Sequence, residues 1–211
     1  DTRAGPLQTY FWRRRLDPDV LDADEVRMHP SLGYWDEGRC IRRYPAMLAR
    51  IVDPSGRTRT LHRTYLTRDG LKAPVHSPRK LMPVETGIRL SGGAIRLFPP
   101  SPVLGIAEGI ETALAVRLAT GMPVWSAVCA SLLARFAPPP DTRRLVVWAA
   151  RDLSGAGEAA ARDLRSRLLK RGIAVDIRLP AGPIPPGAKG LDWADVWAVR
   201  ASRRLEDRAV A

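Results

Sequence analysis

Residues 103–120 read VLGIAEGIETALAVRLAT. The apolar run from Val103 to Ala107 is too short for a helix and stops at Glu108-Gly109, after which Glu111 to Thr120 places apolar residues at helical spacing. The stretch therefore predicts a strand, a tight turn and a helix. The same rhythm continues downstream. Val124 to Ala127 predicts a strand, Ala130 to Phe136 a short helix, Leu145 to Ala149 a strand, Glu158 to Arg171 an amphipathic helix closed by Gly172, and Ala174 to Leu179 another strand. A Pro/Gly-rich loop over 180–190 precedes Leu191-Asp192-Trp193-Ala194-Asp195 and a last helix running towards Arg204. Strands alternating with helices predict an α/β fold, a Rossmann-like parallel sheet with flanking helices.

Upstream of Pro99-Pro100-Ser101-Pro102, which continues neither helix nor strand, the pattern changes. Residues 1–38 read as a polar leading arm with helices around Leu7 to Arg15 and Val20 to Val26. Pro45 to Val52 and Thr58 to Leu66 alternate in polarity around Asp53-Pro54-Ser55-Gly56, which predicts an antiparallel hairpin. A turn at Arg68-Asp69-Gly70 leads to a basic loop with Lys72, Arg79 and Lys80, then to a short strand at Ala94 to Phe98. The expected organisation is a smaller basic α+β subdomain with an antiparallel sheet over 1–100, followed by the α/β subdomain over 101–211.

The net charge is +12, with 18 basic against 11 acidic residues up to position 100 and 16 against 11 beyond it. The excess is spread through folded sequence and points to an anionic partner, nucleic acid first. Cys40 and Cys129 are isolated and lack zinc-ligand spacing, so neither a disulfide framework nor a zinc site is indicated. No apolar run approaches ~18 residues, and the expectation is a soluble, cytoplasmic protein without membrane contact. A chain that begins at Asp1 reads as a piece of something longer.

In a parallel α/β sheet, ligands gather beyond the carboxyl ends of the strands. Glu108 directly follows one predicted strand, Asp152 follows another within three residues, and Asp192 and Asp195 follow the long loop. Carboxylates gathered there repel one another unless a divalent cation, magnesium by the hardness of its oxygen ligands, lies between them. Taken without the rest of the motif, Asp152, Asp192 and Asp195 read better as N-caps of the helices they precede. The isolated His29, His62 and His76 read as ordinary histidines, with His62 the one beside a basic residue on a cleft-facing strand. Tyr34 and Trp35 are the aromatic residues best placed for base stacking.

The strings Gly105 to Leu114, Val146 to Gly155 and Leu191 to Asp195 together resemble the Toprim domain of topoisomerases and bacterial primases, over roughly residues 103 to 200. The upstream motifs resemble the N-terminal half of primases from plasmids, phages and mobile elements. They are His29-Pro30, Tyr34-Trp35, Asp53 to Gly56, His62 to Leu66, Asp69-Gly70, Lys72-Ala73 and Gly92 to Leu97. The chain thus resembles the catalytic core of a DnaG-like Toprim primase. The resemblance implies template-directed synthesis of short RNA primers on single-stranded DNA, in a bacterial or phage-infected cell. Nucleoside triphosphates would be the substrates, Mg²⁺ or Mn²⁺ the cofactor and a helicase a partner in the intact protein.

Carried over position by position, the resemblance makes Glu108 the general acid or base and Asp152, Asp192 and Asp195 the metal ligands, with Glu111 a further candidate. Arg63, Lys72, Arg79, Lys80 and His62 would hold template and nucleotide, while the Arg13-Arg14-Arg15 run reads better as a solvated helix end. One position departs from the family. Its DxD pair falls on Ala150 and Asp152, so a methyl group stands where the first carboxylate belongs, which weakens metal binding. With the rest of the motif intact, a substituted aspartate is favoured over a degenerate site. A Toprim nuclease and a catalytically inactive nucleic-acid-binding module are the competing readings.

Overall fold

The computed structural model describes residues 5–21, 24–84, 86–87 and 89–210, with side chains described through Arg203. The chain opens with helix α1 (Gly5–Trp12), which buries Leu7, Tyr10 and Phe11 along one face. It ends before the Arg13-Arg14-Arg15 run, where Arg15 takes a positive φ of 58°. The helix predicted at Val20 to Val26 does not form. A 3-10 turn over Pro18–Val20, capped by the Asp17 side chain, ends there, and Val26 already begins a strand; residues 22–23 lie outside the described residues.

Strands β1 (Val26–Asp36), β2 (Arg39–Val52), β3 (Thr58–Tyr65) and β4 (Arg79–Leu81) form an antiparallel sheet in sequence order. The hairpin between β2 and β3 turns where predicted. Gly56 N donates to Asp53 O with Gly56 at φ 87°, and the Asp53 carboxylate accepts from Ser55 Oγ, Arg57 N and Arg59. The predicted strand at Ala94 to Phe98 is instead a stitch between sheets, pairing Ala94 with Val52 and Ile95 with Ser126.

The second half runs β5 (Val103–Ala107), α2 (Ile110–Thr120), β6 (Val124–Ser126), α3 (Ala130–Arg135), β7 (Arg144–Trp148), β8 (Arg151–Asp152), α4 (Ala156–Leu169), β9 (Ala174–Arg178), β10 (Gly190–Leu191) and α5 (Trp193–Val210). The sheet order is β6-β5-β7-β9, all parallel. The short pair β8 and β10 is antiparallel and brings the end of the Pro/Gly-rich loop beside Asp152. One apolar cluster joins α1, β2 and α2, so both halves share a core; a second fills the opposite face of the parallel sheet beneath α3 and α4. Among the described residues no helix is long and apolar enough to cross a membrane.

Candidate functional site

β5 ends at Ala107, so Glu108 enters the turn before α2 at the carboxyl edge of the sheet. Ser126 Oγ donates to its carbonyl at 2.7 Å and fixes the turn. Burial, then the neighbouring Asp152 carboxylate, pushes the Glu108 pKa up. Asp152 moves the other way. Its Oδ1 accepts from Ser154 Oγ and from Ser154 N at 2.9 Å, and its Oδ2 from Gly157 N at 3.1 Å; these donors hold it below the usual carboxylate range. Gly157 lies between the two acids. A Cβ there would sit 2.8 Å from Glu108 Oε1 and 3.2 Å from Asp152 Oδ2.

Asp192 and Asp195 begin α5 as a reciprocal cap. Asp192 Oδ1 accepts from Ala194 N and Asp195 N at 2.7 and 3.0 Å, while Asp192 N donates to Asp195 Oδ2 at 3.0 Å. Burial, with Asp195 and Glu111 nearby, raises the Asp192 pKa.

A cavity of about 430 Å³ gathers Arg13, Arg14, Lys72 and Arg79 from the first half of the chain. Its other wall carries Glu108, Glu111, Ala150, Asp192 and Asp195 from the second. Asp152 opens onto an adjoining space with Lys189, and both Glu108 and Ala150 border the two. Ala150 thus borders both the Asp152 side and the Asp192–Asp195 side. Among the described residues no three His, Cys, Asp or Glu side chains converge as a metal-holding group.

Other sequence candidates fall elsewhere. Arg63 donates to Tyr65 Oη and Leu81 O, and Lys80 donates to Trp35 O and Asp36 Oδ1 with its ammonium 4.2 Å above the Tyr34 ring. Both side chains are engaged by the antiparallel sheet outside the cavity. His62 is buried on β3 and does not line it. Tyr34 is buried edge-on against Tyr65, whereas Trp35 is 56% exposed. Arg13 and Arg14 do line the cavity, which sequence reasoning had set aside. Their only signal was the arginine run itself, and the fold that swings the end of α1 over the sheet edge is invisible in it.

Residues 2–97 match a domain of unknown function, DUF7146, and residues 103–202 match the Toprim domain. The second half of the chain thus matches the Toprim family. No curated protein matches the chain by sequence. Among solved structures, a DnaG catalytic core is 14% identical with a TM-score of 0.59, over 99% of this chain and 74% of that one. A DnaG primase catalytic domain bound to single-stranded DNA is 13% identical with the same TM-score, over 99% and 73%. The primase fragment of the bacteriophage T7 primase-helicase is 13% identical with a TM-score of 0.56, over 94% and 72%. The likeness is one of fold: the chain has the architecture of DnaG-type primase catalytic cores, as the sequence resemblance implied.

Proposed function

We propose that the chain is the catalytic core of a DNA primase that joins nucleotides on a single-stranded DNA template, held back by Ala150. The observation that carries this reading is the single cavity in which four cations from the first half face the acids of the Toprim half. Cations suit the phosphates of template and incoming nucleoside triphosphate. Acids at strand ends suit the reacting phosphate. The DnaG domain bound to single-stranded DNA and the primase fragment of a primase-helicase supply the analogy for template and for a helicase in the intact protein.

Glu108, whose burial raises its proton affinity, would take the proton of the attacking 3′-hydroxyl. Lys72, Arg79, Arg13 and Arg14 would orient the triphosphate. The donor set fits Mg²⁺ or Mn²⁺ as these ions are bound beside nucleotides, through one or two carboxylates with phosphates completing the shell. The gap kept open by Gly157 between Glu108 and Asp152 is consistent with that. Asp152 would hold an ion on its side of Ala150, and Asp192 with Asp195 one on the cavity side; a bound ion would stabilise charge developing on the phosphoryl oxygens.

Primer synthesis on single-stranded DNA with labelled ribonucleotides and Mg²⁺ or Mn²⁺ tests this on the chain and on Ala150→Asp. Product from Ala150→Asp at least about tenfold above the parent, with tighter metal binding, is the expected result. The methyl group of Ala150 at the position of the family's first carboxylate favours the second reading, a nucleic-acid-binding module. Salt-dependent DNA binding with no product from either chain would establish it, and nicking of plasmid DNA would mark a Toprim nuclease.

A further inference from the structure

Glu111 lies in the first turn of α2, 9% exposed, in the wall of the cavity. Its Oε1 accepts a hydrogen bond from the hydroxyl of Tyr10, 101 residues away on α1. Lys72 Nζ stands 3.9 Å from the same oxygen, too far for a hydrogen bond but close for two charges in a half-buried setting. The other oxygen is turned to the backbone, where a Cβ on Gly109 would meet it at 3.4 Å. One oxygen therefore has two suitors, and the phenol makes the short contact.

The consequence falls on Lys72. An ammonium with Glu111 to itself would close onto the carboxylate and spend charge and donors there. With Tyr10 in place, Lys72 is tethered by charge alone and keeps its three N–H groups for the cavity it lines with Arg14 and Arg79. Tyr10 is itself held fast. It has no solvent exposure, its ring packs edge-on to Phe11 at 5.6 Å, and the Arg14 guanidinium lies 4.0 Å over the ring. A group so confined has one placement for its hydroxyl.

We propose that Tyr10 is a positioning residue: by occupying Glu111 it keeps the Lys72 ammonium free for an incoming triphosphate. The proposal rests on the assignment of Lys72 to nucleotide phosphates made above. Tyr10 reaches the phosphate only through Glu111 and Lys72, which makes its effect conditional on the charge at position 111.

Calorimetric titration of ATP with Mg²⁺ tests this on the parent chain, Lys72→Met, Tyr10→Phe, Glu111→Gln and the Tyr10→Phe/Glu111→Gln double variant. Lys72→Met weakens ATP binding by about tenfold or more, and Tyr10→Phe by about fivefold to tenfold, with a melting temperature shifted by only a few degrees. In the Glu111→Gln background Tyr10→Phe has no further effect, because the amide carries no charge to capture Lys72. A packing role for Tyr10 would give the same loss in both backgrounds, and that result overturns the proposal. So does unchanged ATP affinity in Tyr10→Phe when Lys72→Met is weakened. Parental ATP affinity in Lys72→Met would instead remove the phosphate assignment on which the proposal stands.

Discussion

Position 157 excludes a side chain for a reason unrelated to backbone conformation. Gly157 sits in the first turn of α4, where alanine would favour the helix by about 1 kcal/mol, yet a Cβ would press on Glu108, Asp152 and the Ala150 carbonyl. Gly157→Ala should therefore leave the melting temperature within a few degrees, the helix preference offsetting the contacts, while lowering Mn²⁺ affinity at least about tenfold, measured by calorimetry beside the thermal scan. A fall in stability with metal binding intact would show that the gap serves packing. His62 makes a second residue-level case. It is 7% exposed, its Nδ1 has no hydrogen-bond partner, and burial, with Arg79, Arg63 and Lys72 adding against Glu111, pushes its pKa from the ordinary 6.5 down to about 4. As pH falls through this window the unfolded chain takes up a proton that the folded chain refuses. The stability from a neutral His62 is thus complete above pH 6.5 and lost towards pH 4, by up to about 3 kcal/mol. Urea midpoints at neutral and acid pH should converge in His62→Gln, and an unchanged pH slope would rule the effect out.

At the scale of elements, α5 gives one carboxylate two duties. Asp192 caps the helix through Oδ1 and also lines the cavity. Asparagine caps as well as aspartate but carries no charge, so Asp192→Asn should keep the melting temperature and, in the Ala150→Asp background, lose metal-dependent activity by about tenfold or more. Asp192→Ala should lose both, with about 1 kcal/mol of stability gone; equal melting losses in the two variants would assign Asp192 to the cap alone. The elements most legible in the sequence are the central strands. β5 and β7 read as strands because central parallel strands are continuous apolar runs, and β9, an edge strand that carries Asp176 and Arg178, was legible from its place after α4 and Gly172. β1 was hidden because residues 29–32 and 35–36 are exposed or half-buried and include Pro30, and β4 because it is a three-residue edge of Arg79-Lys80-Leu81. The acids Glu108 and Asp152 could be found because they end strands. Arg13 and Arg14 could not, since what brings them to the cavity is the packing of α1 into the core it shares with β2 and α2.

That packing sets the behaviour of the whole molecule. Leu7, Tyr10 and Phe11 of α1 share one apolar cluster with Ile110, Ala113 and Leu114 of α2. Backbone pairs also tie the halves: Ile95 and Ser126 exchange two hydrogen bonds, and the Trp197 indole donates to Arg15 O at 2.7 Å. The cations and acids of the cavity are therefore held in register by one core. Two independently folding units would leave that register to a linker. The six tryptophans report on both parts, Trp12 and Trp35 on the first and Trp125, Trp148, Trp193 and Trp197 on the second. Urea unfolding followed by tryptophan fluorescence and by far-ultraviolet circular dichroism should give one shared midpoint. Residues 101–211 alone, with the inner face of α2 stripped of α1, should melt without a cooperative transition. A two-step curve, or a cooperative transition in that fragment, would mean that the Toprim half folds by itself and that the basic half is docked onto it.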